Sequence, residues 1–356
     1  VMLLLAALVL FWAVSQASSQ EVASVTPDYQ LLTNPGLELY DPPYGQYEGI
    51  DCQVATGWTR FWYGGSEPCF MTNLAFANSH LGLGWEEHIE GEMSQMIVST
   101  QPYSAGLQQQ VTGLTPGLGY SFHAAMLTIF QSSAPPAMDG TMIKQVGLDP
   151  SGGLDPLASS VIWCEPDDHD EGPWSVGLQA AAWAEAPTAT VFIRVLSPYE
   201  AGPSPHVNLS WFDSALLAQT AVVTATSPAY SEIPTFTVRW DNAVAAPGGR
   251  VTRYAVQWLD EAEGMWHDWF TRTTGRWANF VGQPGHSYRF RARVLQRYEN
   301  DARLYSPYRA KGDTRTEVAG PKLVGRVWAH DSSPIGGATV IVSGTDTSAV
   351  SWGDGR

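Results

Sequence analysis

Residues 105 to 130 read AGLQQQVTGLTPGLGYSFHAAMLTIF. Two alternating runs flank the turn signal Thr115-Pro116-Gly117-Leu118-Gly119, and no helical period competes with them. Alternation puts Val111, Leu114, Tyr120 and Phe122 on one side, facing a core. The pattern recurs outward from this hairpin. ATVFIRVLS (189–197) sets Val191, Ile193 and Val195 against Phe192 and Arg194, and HVNLSWFDSALL (206–217) closes the region. Residues 28 to 219 therefore read as strand, turn, strand throughout, which suits a two-sheet sandwich of jelly-roll type.

Beyond a Thr-, Ser- and Ala-rich connector, with the linker placed at 220–227, a second strand set occupies 228–312. TFTVRWD (235–241) aligns Phe236, Val238 and Trp240, and RYAVQWLD (253–260) aligns Tyr254, Val256 and Trp258. HSYRFRARVLQR (286–297) turns Tyr288, Phe290, Ala292 and Val294 inward and Arg289, Arg291 and Arg293 outward. This spacing predicts an immunoglobulin-like sandwich. Residues 321–356 start a third β unit, LVGRVW and ATVIVSG around Pro334-Ile335-Gly336-Gly337, too short to bury a core and so expected to continue. The expected fold class is all-β, a series of β-sandwiches.

Composition agrees with short strands. The 356 residues are 44% hydrophobic and 12% aromatic, with 15 Trp, 34 Gly and 24 Pro, which excludes a disordered chain or a coiled coil. The chain carries 19 basic and 35 acidic residues, a net −16, so nucleic acid is excluded as a partner of the whole. The charge is uneven. From Asp28 to Gln219 there are 3 basic and 21 acidic residues; from Arg239 to Arg315 there are 13 basic and 8 acidic. Such a break marks two separately built domains.

MLLLAALVLFWAVSQASSQ (2–20) reads as a signal peptide cleaved near Ala17, with 1–17 removed, although it lacks a positive start and the chain begins with Val1. A membrane anchor is the alternative, but the run is short for a span. The expectation is a secreted or cell-surface protein with no membrane segment after cleavage. Export permits disulfides. Cys52 and Cys69 bracket one short segment and can close a loop, leaving Cys164; three unpaired thiols are the other option.

TNPGLE (33–38), GW (57–58), LTPGLGYSF (114–122), VGLDPSGG (146–153), SSVIW (159–163) and WFDSALL (211–217) together resemble the galactose-binding-like jelly roll of carbohydrate-binding modules. That resemblance implies a structural calcium, with the family's acids falling on Glu38 and Asp213; the second acid of its closing pair is Ser214 here. Trp240, Tyr254 and GQPGHSYRFRAR (282–293) resemble a fibronectin type III domain, in which Tyr288 matches the corner tyrosine. GRVW, SPIGGATVIVSG and GDGR are similar to a carboxypeptidase-regulatory-like domain. None of these families is catalytic in itself.

Nucleophile and metal-hydrolase motifs are absent from the sequence. Glu86, Glu87, Glu90 and Glu92 can supply a carboxyl pair, but a solvated acidic edge explains them as well. Sugar binding takes flat aromatic faces with a few polar groups. RFWYGG (60–65) offers Trp62 and Tyr63 as such a platform; Trp85, Trp163 and Trp174 are further candidates, with Gln95 and Gln131 as polar partners. WCEPDDHDEGPW (163–174) fits neither an EF-hand nor a zinc site and reads as a solvent-facing loop. The Arg289, Arg291 and Arg293 row reads as a solvated strand face. The expected partner is thus a polysaccharide or cell-wall glycan, bound by a non-catalytic module. The alternatives are the accessory region of a larger extracellular hydrolase, and an adhesion scaffold without a glycan ligand.

Overall fold

The computed structural model describes residues 28–72, 88–130, 142–170, 173–198, 200–201, 207–299, 301–320, 325–341 and 348–353. Within them the protein is all-β. No helix among the described residues is long and apolar enough to cross a membrane. The segment 1–17, read above as a signal peptide, lies outside them. Two compact units are present. The first runs to Thr220 and includes Ala246–Arg250 and Tyr298–Leu304; the second takes Ala221–Ala245, Val251–Arg297 and the residues from Tyr305 onward.

The first unit contains β1 (Gly45–Tyr47), β2 (Ile50–Cys52), β3 (Thr59–Gly65), β4 (Cys69–Thr72), β5 (Gln95–Ser99), β6 (Tyr103–Thr112), β7 (Gly119–Phe130), β8 (Ile143–Asp149), β9 (Ile162–Trp163), β10 (Gln179–Trp183), β11 (Thr188–Ser197) and β12 (Asn208–Gln219). Two antiparallel sheets, ordered β10-β7-β12-β5-β4 and β3-β6-β11-β8-β9, share one core, while β1 and β2 pair separately. Val111, Leu114, Tyr120, Phe122, Val191, Ile193 and Val195 meet in that core, the side that alternation assigns them. The outer faces are covered too. Leu127, Ile129, Leu209 and Trp211 pack with Cys52 and Cys69 outside one sheet, and Phe192 packs with Phe61 and Val161 outside the other. β7 and β12 are thus buried on both sides, which accounts for the unbroken apolar run AAMLTIF.

The later strands, which lie in the second unit apart from the start of β15, the end of β18 and most of β19, are β13 (Tyr230–Ser231), β14 (Thr235–Arg239), β15 (Gly249–Asp260), β16 (Trp266–Thr273), β17 (Trp277–Val281), β18 (Ser287–Tyr298), β19 (Arg303–Tyr305) and β20 (Thr314–Val318). The larger sheet runs β13-β20-β18-β15-β16 with β19 on β18, and β14 pairs with β17. Phe236, Val238, Trp240, Tyr254, Val256, Phe290 and Val294 form the core of the second unit. Further on, β21 (Thr339–Ile341) pairs with β22 (Ser348–Val350).

One six-residue turn occurs in both units. In Thr115–Tyr120 and Gln283–Tyr288 the order is X-Pro-Gly-X-X-Tyr, and the tyrosine hydroxyl accepts the N–H of the first residue, at 3.0 and 2.8 Å. Proline presets the entry and glycine takes the left-handed conformation, with φ of 82° at Gly117 and 83° at Gly285. The buried ring then pins the turn to the core. Removing either hydroxyl, in Tyr120→Phe or Tyr288→Phe, should cost about 1 kcal/mol. Urea unfolding would measure it, and an unchanged midpoint would show that these bonds contribute nothing.

Candidate functional site

Trp62 and Tyr63 do not form one platform. Successive side chains on a strand leave it on opposite sides. Trp62 pairs in register with Ala105, and Tyr63 occupies the irregularity before Gly64. Tyr63 stacks on Phe61 and joins Trp163 on the outer sheet face. Trp62 instead stands near Arg60, which lies between it and Tyr44.

That second environment is a cleft of about 250 Å³ lined by Asp41, Pro42, Tyr44, Val54, Trp58, Thr59 and Arg60. The Arg60 guanidinium sits 4.0 Å from the Tyr44 ring centre and 5.3 Å from that of Trp62, and pairs with Glu67. Tyr44 and Trp62 keep 41% and 45% of their surface exposed. The Tyr44 hydroxyl accepts the Phe70 N–H at 3.0 Å, which fixes the ring, and Asp41 accepts the Thr56 hydroxyl at 2.9 Å. Trp58 is buried beneath, its Nε1 donating to the Asn34 carbonyl at 3.2 Å. The Cys52–Cys69 disulfide joins β2 to β4 around this segment, and Cys164 is a free thiol. The cleft therefore offers the exposed ring of Tyr44, one guanidinium and one carboxylate, and the exposed Trp62 ring stands outside its lining, next to Arg60.

On the outer sheet face Arg194 is held 3.6 Å from the Trp163 ring centre, donates to Gln145 Oε1 at 2.6 and 3.1 Å, and reaches the Tyr63 hydroxyl at 3.4 Å. A Cβ at Gly147 would lie 2.8 Å from the Trp163 ring, so only glycine lets that indole lie on the strand. Trp174 packs on the opposite sheet, with the cluster of Met71 and Trp211. Trp163 and Trp174 thus serve different faces. Trp85, Glu86, Glu87 and Gln131 lie outside the described residues. Gln95 is fully buried, and its amide donates to the Met71 carbonyl at 2.9 Å.

The acidic run 163–174 is not wholly solvent-facing. Asp170 is buried and accepts the Phe130 N–H at 3.0 Å. Lys144, its side chain 1% exposed, lies 3.9 Å from Asp167 and donates to Thr128 Oγ1 at 3.2 Å and to the His169 carbonyl. Burial lowers the Lys144 pKa against the pull of Asp167, Asp170 and Asp168. A buried cation needs such partners, and the loop supplies them. Much of its charge is therefore structural.

Glu38, Glu90 and Asp213 form a further acidic group, joined through the 88–93 segment. Both Glu38 oxygens take the N–H groups of Glu92 and Met93, while Asp213, fully buried, takes those of Ile89 at 2.5 Å, Glu90 at 3.1 Å and Ser214 at 2.5 Å. Glu90 is exposed as a residue, but its carboxyl faces Gly36 and accepts the Ser214 hydroxyl at 3.3 Å. Burial, then repulsion from Glu38, raises the Glu90 pKa, opposed by the Ser214 bond. Burial drives Asp213 up to about 7, against its backbone bonds. Asn34, Leu37 and Ser214 all take left-handed backbone here, and β12 carries a bulge between Asp213 and Leu216. Strain and bulges of this kind gather at functional positions. The donors are all hard oxygens, as calcium prefers. As they stand, no three His, Cys, Asp or Glu side chains among the described residues converge on one metal position.

In the second unit two of the outward arginines, Arg291 and Arg293, are interleaved with rings, while Arg289 stays partly exposed. Arg291 lies over Trp266 and Tyr308, and Arg293 over Tyr305 and Tyr308, at 4.0 to 4.7 Å. Arg289 pairs with Glu261 at 2.7 Å. Of the cleft residues, Asp41, Tyr44 and Arg60 were not singled out by motif. Their signal lay in the charge count, since Arg60 is one of only three basic residues between Asp28 and Gln219.

No family model and no curated protein matches the chain. Solved structures are similar in part. TmCBM61, in complex with β-1,4-galactotriose, is 14% identical over 53% of this chain and 98% of its own, at a TM-score of 0.33. The adhesin domain of Epf from Streptococcus pyogenes is 11% identical over 75% of this chain and 93% of its own, at 0.22. The FN1–FN3 domains of chicken CNTN1 are 10% identical over 58% and 76%, at 0.18. Similarities at this level assign no ligand and no activity.

Asp213 gives the acidic group a measurable signature. With divalent cations chelated, the folded chain keeps a proton that the unfolded chain, with its ordinary value of 3.8, releases. Stability should therefore fall as pH rises from about 4 to about 7, by about 1.4 kcal/mol for each tenfold displacement of the acid constant. Asp213→Asn should flatten this part of the curve of urea midpoint against pH. A wild-type midpoint that climbs through the window would contradict the assignment.

Proposed function

We propose that the first unit is a non-catalytic carbohydrate-binding module of a secreted or cell-surface protein, and that its ligand occupies the Tyr44–Arg60 cleft and extends over Arg60 to the neighbouring Trp62 ring. The observation that carries this reading is the pair of exposed rings flanking Arg60 beside the Asp41 carboxylate. Pyranose C–H faces stack on such rings, and the charged groups meet hydroxyls by hydrogen bonds. The cleft lining holds one carboxylate, Asp41, where glycoside hydrolysis takes a positioned pair. Binding rather than cleavage is the chemistry it supports. The second unit serves in this reading as a spacer.

Loss of Trp62 tests the site. Against an array of oligosaccharides, Trp62→Ala should weaken the best ligand by about thirtyfold, about 2 kcal/mol, at an unchanged melting temperature. Tyr63→Ala, across the strand, should leave affinity within a few-fold. Affinity that is indifferent to Trp62→Ala would place the ligand elsewhere.

We also propose that a calcium ion is held by Glu38 and Asp213, with Glu90 beside them. Burial disfavours the charged forms of Glu90 and Asp213, and a divalent ion would supply the opposite charge that favours them. The ion's role would be to fix the 88–93 loop against β12, in place of N–H contacts now made by that loop. Calcium should raise the melting temperature and a chelator lower it again, with neither effect in Asp213→Asn. An unchanged wild-type transition would remove the ion from the account.

A further inference from the structure

We propose that the cleft is selective for neutral glycans and excludes those bearing carboxylate or sulfate groups. The inference rests on the carbohydrate reading above and adds the class of sugar.

Recognition of an acidic glycan requires, within the cleft, a cation whose charge is not already balanced. Between Asp28 and Gln219 there are three basic side chains against 21 acids, and each of the three is already engaged. Lys144 is buried, facing Thr128, the His169 carbonyl and Asp167. Arg194 lies on the outer sheet face, held by two hydrogen bonds to Gln145 and stacked on Trp163. Arg60, the cation of the cleft, is paired with Glu67 and has Tyr44 under its plane. Its charge is therefore balanced before any ligand arrives.

The remaining groups near the cleft repel an anion. Asp41 lines the cleft, and Glu67 is paired with its Arg60. A ligand carboxylate close to one of these acids is repelled, the more strongly the less water lies between them. A hydroxyl has no such difficulty. It donates to Asp41 or Glu67 and accepts from the unshared N–H groups of Arg60, so the same charges that reject an acid sugar satisfy a neutral one. The net charge of the surrounding unit extends this discrimination to the approach of the ligand.

Titration calorimetry of the full chain tests the inference. Neutral galacto-, xylo-, manno- and cello-oligosaccharides form the first panel, at low ionic strength and again at about 1 M NaCl, where screening acts within about 3 Å. The best ligand should change affinity by less than about twofold between the two, because no ion pair forms on binding. Oligogalacturonate and heparin-derived oligosaccharides, added in excess at low salt, should fail to displace it. Displacement by either, or affinity that falls steeply with salt, would overturn the neutral-ligand inference and leave carbohydrate binding intact. If no neutral oligosaccharide binds while an acidic one does, and Trp62→Ala abolishes that binding, the inference fails alone. Absence of binding to every sugar would overturn the underlying reading as well.

Discussion

Lys144 inside the first sandwich sets the terms for its surroundings. An ammonium group with 1% of its side chain exposed is stable only when its donors and charge are met, and the chain brings a loop back across the sandwich to meet them. Asp167 bridges β8 through its backbone as well as its carboxylate, and Asp170 caps the N–H of Phe130 at the end of β7. The acid-rich loop is thereby fixed at both ends of its acidic stretch. Trp163, at the entry to the loop, is fixed with it, and through Trp163 so is Arg194. One buried cation thus organises a loop, a sheet edge and an aromatic face.

Much of the architecture was legible from alternation alone. Val111, Tyr120, Val191, Ile193, Phe236, Val238, Phe290 and Val294 all stand where a period of two places them. Alternation also implied that Trp62 and Tyr63, as neighbours on a strand, leave it on opposite sides, yet composition suggested a joint platform. Local chemistry was read there at the expense of geometry. The acidic run is solvent-facing at Glu165, Asp168 and His169, but the buried role of Asp170 and the Asp167 contact were not legible, for the opposite reason. Its partner Lys144 is about twenty residues away in sequence, and no local pattern reports a contact made by the fold. The arginine row was similar: Trp266, Tyr305 and Tyr308 come from separate segments and meet Arg291 and Arg293 only in the folded sheet.

The cleft itself sits on neither sheet face proper. Its rings come from the 41–47 segment and the exposed side of β3, where Pro42-Pro43 keeps the chain extended and the Tyr44 N–H reaches the Cys52 carbonyl at 2.9 Å. Irregular chain laid over a rigid scaffold is the usual setting for ligand contacts. The first unit follows that division in part: β7 and β12 are buried on both faces, and the accessible chemistry lies on the 41–47 segment and on the partly exposed strand β3.

The Cys52–Cys69 bond has a mechanical consequence. Residues 53 to 68, which include Trp58, Arg60 and Trp62, lie wholly within the covalent loop that it closes. A pulling force transmitted along the backbone passes from Cys52 to Cys69 through the sulfur bridge and bypasses the enclosed segment. The part of the chain that carries the indole and the guanidinium is therefore shielded from extension while neighbouring strands bear load. A protein anchored at one end and attached to a polymer at the other would keep its grip while its flanks yielded.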